Sequence, residues 1–293
     1  MRQSTLSHLA LAEKTRREVL QKSDLIPPLP DLVSRLLALL NKQDTEPSDL
    51  ERLMQNDQVL VAKMLAMVNS PFYGLNRSIR TVKEAVMVLG FRGVRSLVLA
   101  TSAAKFMQRD FSCYGHQPKG LWLHAAAVAA GSKALARACR MGANESEQLF
   151  VGGLLHDIGK LLLVSYLGDH QAGLATAKAI TEFEQDAIGI DHAEAGALVT
   201  AKWNLATDIQ ELIKSHHDDG TGANTPAMAV VRLTDAIAHQ RGFGYLPGRS
   251  PRVEFSGPDL TLLGFTADSW SATRDSIVST MDEAVTALGS LGS

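Results

Sequence analysis

Apolar residues recur at helical spacing along most of this chain, and that pattern excludes most fold classes. No segment alternates apolar and polar residues with a period of two between turn residues, as a half-buried strand would. Prolines and glycines separate the helical segments, for example at Pro27, Pro28 and Gly90. The sequence therefore predicts an all-α protein with about a dozen helices or more and no fixed-period repeat.

Three helix starts are indicated by a Ser, Thr or Asn followed three residues later by Glu, which is the spacing of a capping box. The pairs are Ser48 and Glu51, Thr81 and Glu84, and Asn144 and Glu147. We expect the first residue of each pair to cap its helix, and Gly90 to end the helix that begins after Thr81. The proline-containing residues 242–259 are expected to form a long irregular stretch that could act as a lid.

Composition limits the classes of partner. The chain has 293 residues, of which 45% are hydrophobic and 20% charged, and its formal net charge is −2. This charge gives no support for a nucleic-acid partner. A local basic face could still be formed by Arg77, Arg80, Arg92 and Arg95, although solvated helix faces commonly carry such residues. We therefore expect no nucleic-acid partner.

The compartment is indicated by cysteine usage and by the N-terminal sequence. Cys113 and Cys139 are too few for a disulfide framework, which favours a reducing compartment. Residues 1–20 contain charges throughout and lack a signal-peptide pattern. No apolar run reaches the roughly 18 residues of a membrane-spanning helix. We expect a cytoplasmic protein without a membrane partner.

Residues 150–160 form the apolar end of a predicted helix followed by a polar pair. Their sequence is Phe-Val-Gly-Gly-Leu-Leu-His-Asp-Ile-Gly-Lys. His156 and Asp157 combine imidazole and carboxylate, a ligand set that suits Fe, Mn, Zn or Ni. Lys160 would lie on the same face of a continuing helix as Asp157 and could hold a phosphate oxygen. The alternative interpretation is a polar helix terminus that His156 and Asp157 merely cap.

Further polar residues on predicted helices or at their ends add to this pair. They are His124, His192, His216, His217 and Asp235. Asp235 lies within an apolar helix, where an unpaired carboxylate would be strongly unfavourable. A metal would resolve this problem, and so would an ion pair with Arg232 or Lys202. The other histidines are expected at the surface or in loops; they are His8, His116, His170 and His239.

These residues resemble a known pattern. His124, then His156-Asp157, then Asp235 is similar to the His…His-Asp…Asp order of the HD phosphohydrolase superfamily. The N-terminal half resembles the HDOD (HD-related output domain) family. The residues that carry this second resemblance are Ile26-Pro27-Pro28-Leu29-Pro30, Asp57-Gln58-Val59-Leu60, Leu65, Val68-Asn69-Ser70, Ile79, Ala85-Val86 and Leu89-Gly90. Together the resemblance covers about residues 25–239.

The resemblance implies a helical N-terminal subdomain packed on an HD-type helical subdomain. The implied organisation is an amphipathic helix at residues 1–24, the HDOD N-terminal subdomain at 25–110, and an HD-like metal-site subdomain with C-terminal helices at 111–293. HDOD proteins are mostly regarded as bacterial signalling output modules, and many have lost the metal ligands. No general reaction is established for them.

The resemblance also implies a ligand set, which this chain retains. The positions matching a first HD metal are His124, His156, Asp157 and Asp235. The positions matching a second metal, as in the related HD-GYP phosphodiesterases, are His192, His216 and His217, with Asp157 bridging. Lys160 matches a lysine that faces the phosphate, so Asp157 and Lys160 are the implied catalytic residues. The implied cofactor is a divalent transition metal, with Fe or Mn favoured over Zn or Ni.

One departure from the HD-GYP pattern concerns the substrate. After His217 the chain reads Asp-Asp-Gly-Thr-Gly-Ala-Asn at residues 218–224, which lacks the Tyr-Pro of the signature and shortens its spacing. This departure puts cyclic-di-GMP in doubt as a substrate. Two functions follow as expectations: a signal-transduction module that binds a protein partner, and a metal-dependent phosphohydrolase or phosphodiesterase acting on a nucleotide or another phosphoester. Because the matched region begins by about residue 25, a signal would come from a partner or a ligand.

Overall fold

The computed structural model describes residues 2–21, 27–55, 57–70, 73, 75–167, 180–218, 224–251 and 253–289, with side chains from Ala12 onwards. Across these residues the chain forms α-helices joined by turns and by one longer irregular connection after residue 241, which ends at residue 256 and not at the predicted 259 because a helix begins at Gly257. The strand pairing within them is limited to one isolated antiparallel bridge between His116 and Tyr245. The prediction of an all-α fold is confirmed.

Three short helices of the first half form a layer around one long helix, and the N-terminal helix lies outside that layer. The helices of this half are α1 (Arg2–Gln21), α2 (Asp31–Leu40), α3 (Pro47–Met54), α4 (Gln58–Val68) and α5 (Val82–Met107). Helix α5 packs against α2, α3 and α4, and its far side packs against a helix of the second half. Leu36, Leu50 and Met64 are fully buried in this layer.

The second half contains the remaining helices. They are α6 (Gly120–Ala138), α7 (Ala143–Leu155), α8 (Lys160–Leu167), α9 (Ile180–Ile188), α10 (His192–Lys202), α11 (Thr207–Lys214), α12 (Pro226–Arg241), α13 (Gly257–Leu262) and α14 (Ala267–Gly289). Helix α6 is central, because α7, α12 and α14 all pack against it. Helix α10 packs on α8 and α11, while α1 packs on α9.

Two clusters of buried apolar side chains hold the helices together. One runs without interruption from Leu36 and Leu97 in the first half to Phe150 and Ile213 in the second. The other lies between α6, α7, α12 and α14 and includes Met281. Burial of apolar area is the main stabilising contribution to such packing. The subdomain boundary at residue 110 stays a prediction, since the larger core crosses it.

The predicted helix starts have mixed outcomes. Thr81 caps α5 by accepting a hydrogen bond from the amide of Glu84, as expected. The prediction for Ser48 is wrong, because Glu46 caps α3 reciprocally with Asp49 and Pro47 occupies the first helical position. The prediction for Asn144 is also wrong, as α7 begins one residue earlier without a side-chain cap.

Gly90 interrupts α5 as the sequence predicts. Its φ of 69° and ψ of 173° are non-helical and kink the helix between two segments. Residues with a Cβ rarely adopt this backbone conformation, so glycine permits the kink.

Two helical segments are apolar and long enough to cross a membrane by length and composition alone. They are Val82–Met107 and Ala143–Leu167, and their apolar windows are 61% and 83% buried inside the protein. Core helices pass the same test, and this burial accounts for the composition of both segments.

Gly159 lets the turn after α7 approach α10 closely. A Cβ at this position would overlap the carbonyl oxygen of His192 and lie 2.5 Å from the amide nitrogen of Gly196. Both neighbours are backbone atoms, which cannot rotate away. Glycine at 159 therefore sets the distance between the turn that carries His156 and the helix that begins at His192.

We predict that Gly159→Ala destabilises the protein by about 3 kcal/mol, because overpacking against backbone forces the two segments apart. Urea unfolding followed by circular dichroism measures this change. Gly257→Ala is the matched control, since a Cβ there meets no atom within 4 Å. Equal midpoints for the two variants would show that the close approach is not required.

Candidate metal centre

The ends of four helices and the middle of a fifth deliver the predicted ligands to one buried region. His124 comes from the first turns of α6, His156 and Asp157 from the turn after α7, and His192 from the first residue of α10. The remaining predicted ligands are His216 and His217, which follow α11, and Asp235 in the middle of α12. His217 is exposed, and all the others are buried.

Distances divide these side chains into overlapping groups. Ligand atoms of His124, His156 and Asp235 lie within 4.8 Å of one another, and so do those of His192, His216 and His217. A third group, formed by His156, Asp157 and His216, joins the first two. Three ligand atoms at such spacing can surround a single cation.

Asp157 extends between the two outer groups. Its Oδ1 lies 3.2 Å from Nε2 of His192, and its Oδ2 lies 3.4 Å from Nε2 of His156 and 3.7 Å from Nε2 of His124. One oxygen therefore faces each group. This is the arrangement that a carboxylate needs in order to bridge two cations.

Two buried imidazoles present a nitrogen that has no partner. Nδ1 of His156 lies 2.8 Å from the carbonyl oxygen of Gly153, and Nδ1 of His216 lies 2.6 Å from that of Ile213. A carbonyl only accepts, so Nδ1 of each ring donates. Nε2 of both rings is buried without a hydrogen-bond partner. Burial lowers the pKa of His216 to about 3, so its Nε2 carries a lone pair that can bind a metal. The Nε2 of His156 instead faces Asp157 and Asp235 and carries a proton that a metal would displace.

Glu184 was not predicted, yet it orients His192. Its carboxylate accepts hydrogen bonds from Nδ1 of His192 at 2.6 Å and from the backbone amide of His192 at 2.8 Å. It also accepts from the hydroxyl of Tyr114 at 2.8 Å. A carboxylate behind a ligating histidine fixes the ring and raises its basicity. The sequence offered no signal for Glu184, because Glu182 and Asp186 are acidic residues of the same helix and could not be distinguished from it.

The expectation of a surface or loop position is wrong for His239, which lies within α12, whereas His116 does lie in the connection before α6. Both are buried, and the ring of His239 lies 4.8 Å from that of His124. Nε2 of His239 is 3.3 Å from Oδ1 of Asp235. Their spacing of four residues on one helix is the signal that could have identified His239. The side chain of His8 and all of His170 lie outside the described residues.

Lys160 lies against Asp157. Its Nζ is 2.7 Å from Oδ2 of that carboxylate and 5.2 Å from the centre of the Tyr114 ring, and the side chain is buried. It therefore compensates the charge of Asp157. Contact between Lys160 and a phosphate stays a prediction.

Among the residues that the structure describes, the alternative ion pair between Asp235 and Arg232 is not formed. Arg232 instead donates to Asp259 at 2.6 and 2.8 Å. Among the described residues, the cationic or potentially cationic groups near Asp235 are imidazoles: His124 at 3.0 Å, His156 at 3.5 Å and His239 at 3.3 Å.

The centre is negatively charged when its imidazoles are neutral. Asp157, Asp235 and Glu184 contribute three negative charges and Lys160 one positive charge, so the sum is −2. Burial alone lowers the pKa of His156, but Asp157 and Asp235 raise it to about 10. Burial likewise lowers the pKa of His192, while Glu184 and Asp157 raise it to about 9. The centre thus attracts cations, either protons or metal ions, and these residues fit a divalent metal.

The fold and the buried His–Asp cluster together define an HD-type helical protein. The family model of the HDOD domain matches residues 26–219, well over half of the chain. The chain therefore belongs to the HDOD family, as the sequence predicted.

Solved structures share the fold. A Shewanella amazonensis SB2B protein, provisionally named a phosphohydrolase, is 23% identical with a TM-score of 0.74; the match covers 94% of this chain and 98% of that one. An HDOD domain protein of unknown function from Geobacter sulfurreducens is 24% identical with a TM-score of 0.68, covering 97% and 98%. At these identities the likeness concerns the fold alone.

A relative from Treponema pallidum (strain Nichols), described as an uncharacterized protein, is 28% identical over 210 residues. The match covers 70% of this chain and 40% of the relative, so this chain spans about two fifths of the length of that protein.

Most of the segment that departs from the HD-GYP signature, residues 219–223, lies outside the described residues.

We predict that Glu184→Gln lowers metal affinity by about 10- to 100-fold, because an amide holds His192 less firmly than a carboxylate does. Competition with a chromophoric chelator measures the affinity. The control is Glu182→Gln, an exposed residue on the same helix. An affinity unchanged in Glu184→Gln would remove Glu184 from the centre.

Proposed function

We propose that this protein is a signal-transduction regulator of the HDOD family that retains a dinuclear, HD-type metal site. The observation that supports it most strongly is the pair of buried Nε2 atoms of His156 and His216, which lack partners while their Nδ1 atoms donate to carbonyls. Leaving a buried polar atom without a partner is unfavourable. A metal would satisfy the lone pair of His216, and it would take the place of the proton that Nε2 of His156 carries in the metal-free centre.

The ligand set supports a transition metal. Neutral imidazole together with carboxylate suits Fe, Mn, Zn or Ni, whereas Ca and Mg prefer oxygen ligands alone. We assign His124, His156, Asp157 and Asp235 to one ion, and His192, His216 and His217 to the other, with Asp157 shared. Fe or Mn is favoured.

The second candidate function is hydrolysis of a nucleotide or another phosphoester at this centre. A bound metal pair would supply Lewis acidity and lower the pKa of water toward neutrality. The chain's own contribution is to position Asp157 between the two ligand groups, through Lys160 and His192. Tyr245 and His116 pack beside His124 and exclude solvent from that side. The assignment of Lys160 to phosphate binding belongs to this candidate.

A protein partner is part of the regulatory proposal. The N-terminal half carries no cluster of metal ligands among its described residues. It does expose apolar side chains, of which Val59 is 66% and Met87 62% accessible. We place the partner-binding surface on this half.

We predict about two transition-metal ions per chain in protein purified after anaerobic loading with iron or manganese. Asp157→Ala should lose both, because it removes the shared carboxylate, whereas Asp186→Ala, an exposed residue of α9, should keep them. Elemental analysis makes the measurement. Wild-type protein without metal under every loading condition would refute the site.

A measurement of phosphoester hydrolysis separates the regulatory function from the enzymatic one. If the centre is hydrolytic, the loaded wild-type protein should cleave bis(p-nitrophenyl) phosphate or a nucleotide, and Asp157→Ala should not. Full metal occupancy without turnover of any phosphoester would leave the regulatory function and reject the enzymatic one.

Metal binding at pH 7.5 should release about two protons, because His156 and His192 are protonated in the metal-free centre and must be neutral to bind. Their raised pKa values, about 10 and about 9, set the sign: metal affinity falls as the pH is lowered, and it rises with pH until both rings are neutral, at about pH 10. Calorimetry in two buffers of different ionisation enthalpy counts the protons. Equal heats in both buffers would contradict the release of protons on metal binding.

A further inference from the structure

One side of α4 faces solvent although the helix is apolar almost throughout. Nine of its eleven residues are apolar, and its buried side is already filled by Leu60, Met64 and Met67. The opposite side is exposed and consists of Gln58, Val59, Ala62, Lys63, Ala66 and the C-cap Asn69. We call these six residues the α4 face. A helix that is apolar on all sides is normally buried on all sides.

The α4 face has an apolar middle and polar edges. At 3.6 residues per turn, Val59, Ala62 and Ala66 lie along its middle. Gln58 and Asn69 lie at one edge and Lys63 at the other. Because alanine side chains are small, a second helix can approach this middle closely and place larger apolar side chains over it.

Basic residues border the end of the α4 face. The side chain of Asn69 holds the backbone of Ile79: its Nδ2 donates to the carbonyl oxygen at 2.7 Å, and its Oδ1 accepts from the amide at 2.7 Å. The chain around Ile79 therefore lies beside the last turn of the face. Arg77 and Arg80 belong to this stretch, and both are exposed.

Positive charge is concentrated in this part of the protein. Residues 58–107 contain seven basic side chains and one acidic side chain, so their net charge is +6 in a chain whose formal net charge is −2. The acidic residue is Glu84, which accepts a hydrogen bond from the backbone amide of Arg80 at 2.7 Å. Lys63, Arg77 and Arg80 form no ion pair with any residue that the structure describes. The surface that complements these charges is acidic.

The apolar middle decides between the acidic or anionic partners. Nucleic-acid interfaces are polar and contact mainly phosphates, so they would leave Val59 and its alanine neighbours without apolar contacts. Membrane surfaces are bound through large apolar side chains such as Trp, Phe and Leu, which the α4 face lacks. A second copy of this chain in a twofold contact would bring identical basic residues together. An acidic helix with one apolar side satisfies both the charge and the apolar middle.

We propose that the α4 face binds an acidic amphipathic helix of a protein partner. Apolar side chains of that helix pack over the middle of the face, while its Asp or Glu residues meet Lys63, Arg77 and Arg80. This proposal rests on the regulatory function proposed above and gives the chemical nature of the protein partner.

The test uses the full chain loaded with metal and three fluorescein-labelled synthetic peptides of about 18 residues, or about five helical turns. The first peptide has leucine on one side of the helix and glutamate on the other. The second has lysine in place of every glutamate, and the third has serine in place of every leucine. Fluorescence anisotropy measures their affinities at about 0.1 M ionic strength, where charge pairs at a contact are only partly screened.

The glutamate–leucine peptide should bind saturably, one per chain, and at least about tenfold more tightly than the other two. Arg77→Glu/Arg80→Glu should weaken its binding at least about tenfold, because two attractive charges become repulsive. Lys105→Glu/Arg109→Glu is the matched control: it makes the same change of charge at exposed residues of the far end of α5 and should leave the affinity unchanged. Val59→Ser should weaken binding at least about threefold through lost apolar contact.

Equal affinities for the glutamate and lysine peptides, or for the two double variants, would overturn the proposal. So would tighter binding of a double-stranded DNA oligonucleotide, or of vesicles with equal parts of phosphatidylcholine and phosphatidylglycerol, since either would assign the face to another class of partner. Circular dichroism confirms that each variant is folded, and all the substituted side chains are exposed.

Elemental analysis of the same samples keeps this proposal separate from the metal site. Protein that holds its metal and binds no peptide rejects the acidic helix and leaves the metal site standing. Protein that binds the glutamate–leucine peptide but holds no metal supports the α4 face and rejects the metal site.

Discussion

The buried carboxylate of Asp157 constrains the second half of this protein more than any other group. Moving a carboxylate from water into a protein interior costs several kcal/mol unless its charge is compensated. Lys160 at 2.7 Å and His192 at 3.2 Å provide that compensation, and they come from the starts of two different helices, α8 and α10. The turn after α7 must therefore sit where both helix starts can reach it. Gly159, which touches the backbone of α10, makes that approach sterically possible.

The same constraint explains why most of the predicted ligands lie at helix ends, with Asp235 in the middle of α12 as the exception. A side chain in a turn can face several helices at once. His156, His192 and His216 all occupy such ends, and the rings of His156 and His216 are each fixed by a carbonyl three residues before them. The helices thus act as rigid supports, and the short turns hold the chemistry, which is how precise sites are usually built.

Much of this arrangement could be predicted from the sequence. The helical fold follows from apolar spacing. The predicted ligands were identified by their order along the chain, which matches the HD pattern, and the fold brings them together. Glu184 and His116 could not be found in that way. Their burial depends on which distant segments pack over them, and local sequence does not carry that information. The prediction of a helix cap at Ser48 was wrong for a local reason. Glu46 and Pro47 together make a better helix start, since proline fixes φ and the glutamate reaches the amide of Asp49.

Helix α7 holds the turn that carries Asp157 against the middle of the second half. Its last residue directly precedes His156. Gly153 lies so close to α6 that a Cβ there would fall 2.8 Å from Oγ of Ser132 and 2.9 Å from the carbonyl oxygen of Val128. Because α6 also carries His124, the packing of these two helices fixes His124, His156 and Asp157 relative to one another. Backbone packing therefore determines the geometry of the ligand set, and the ligands themselves need little adjustment to converge.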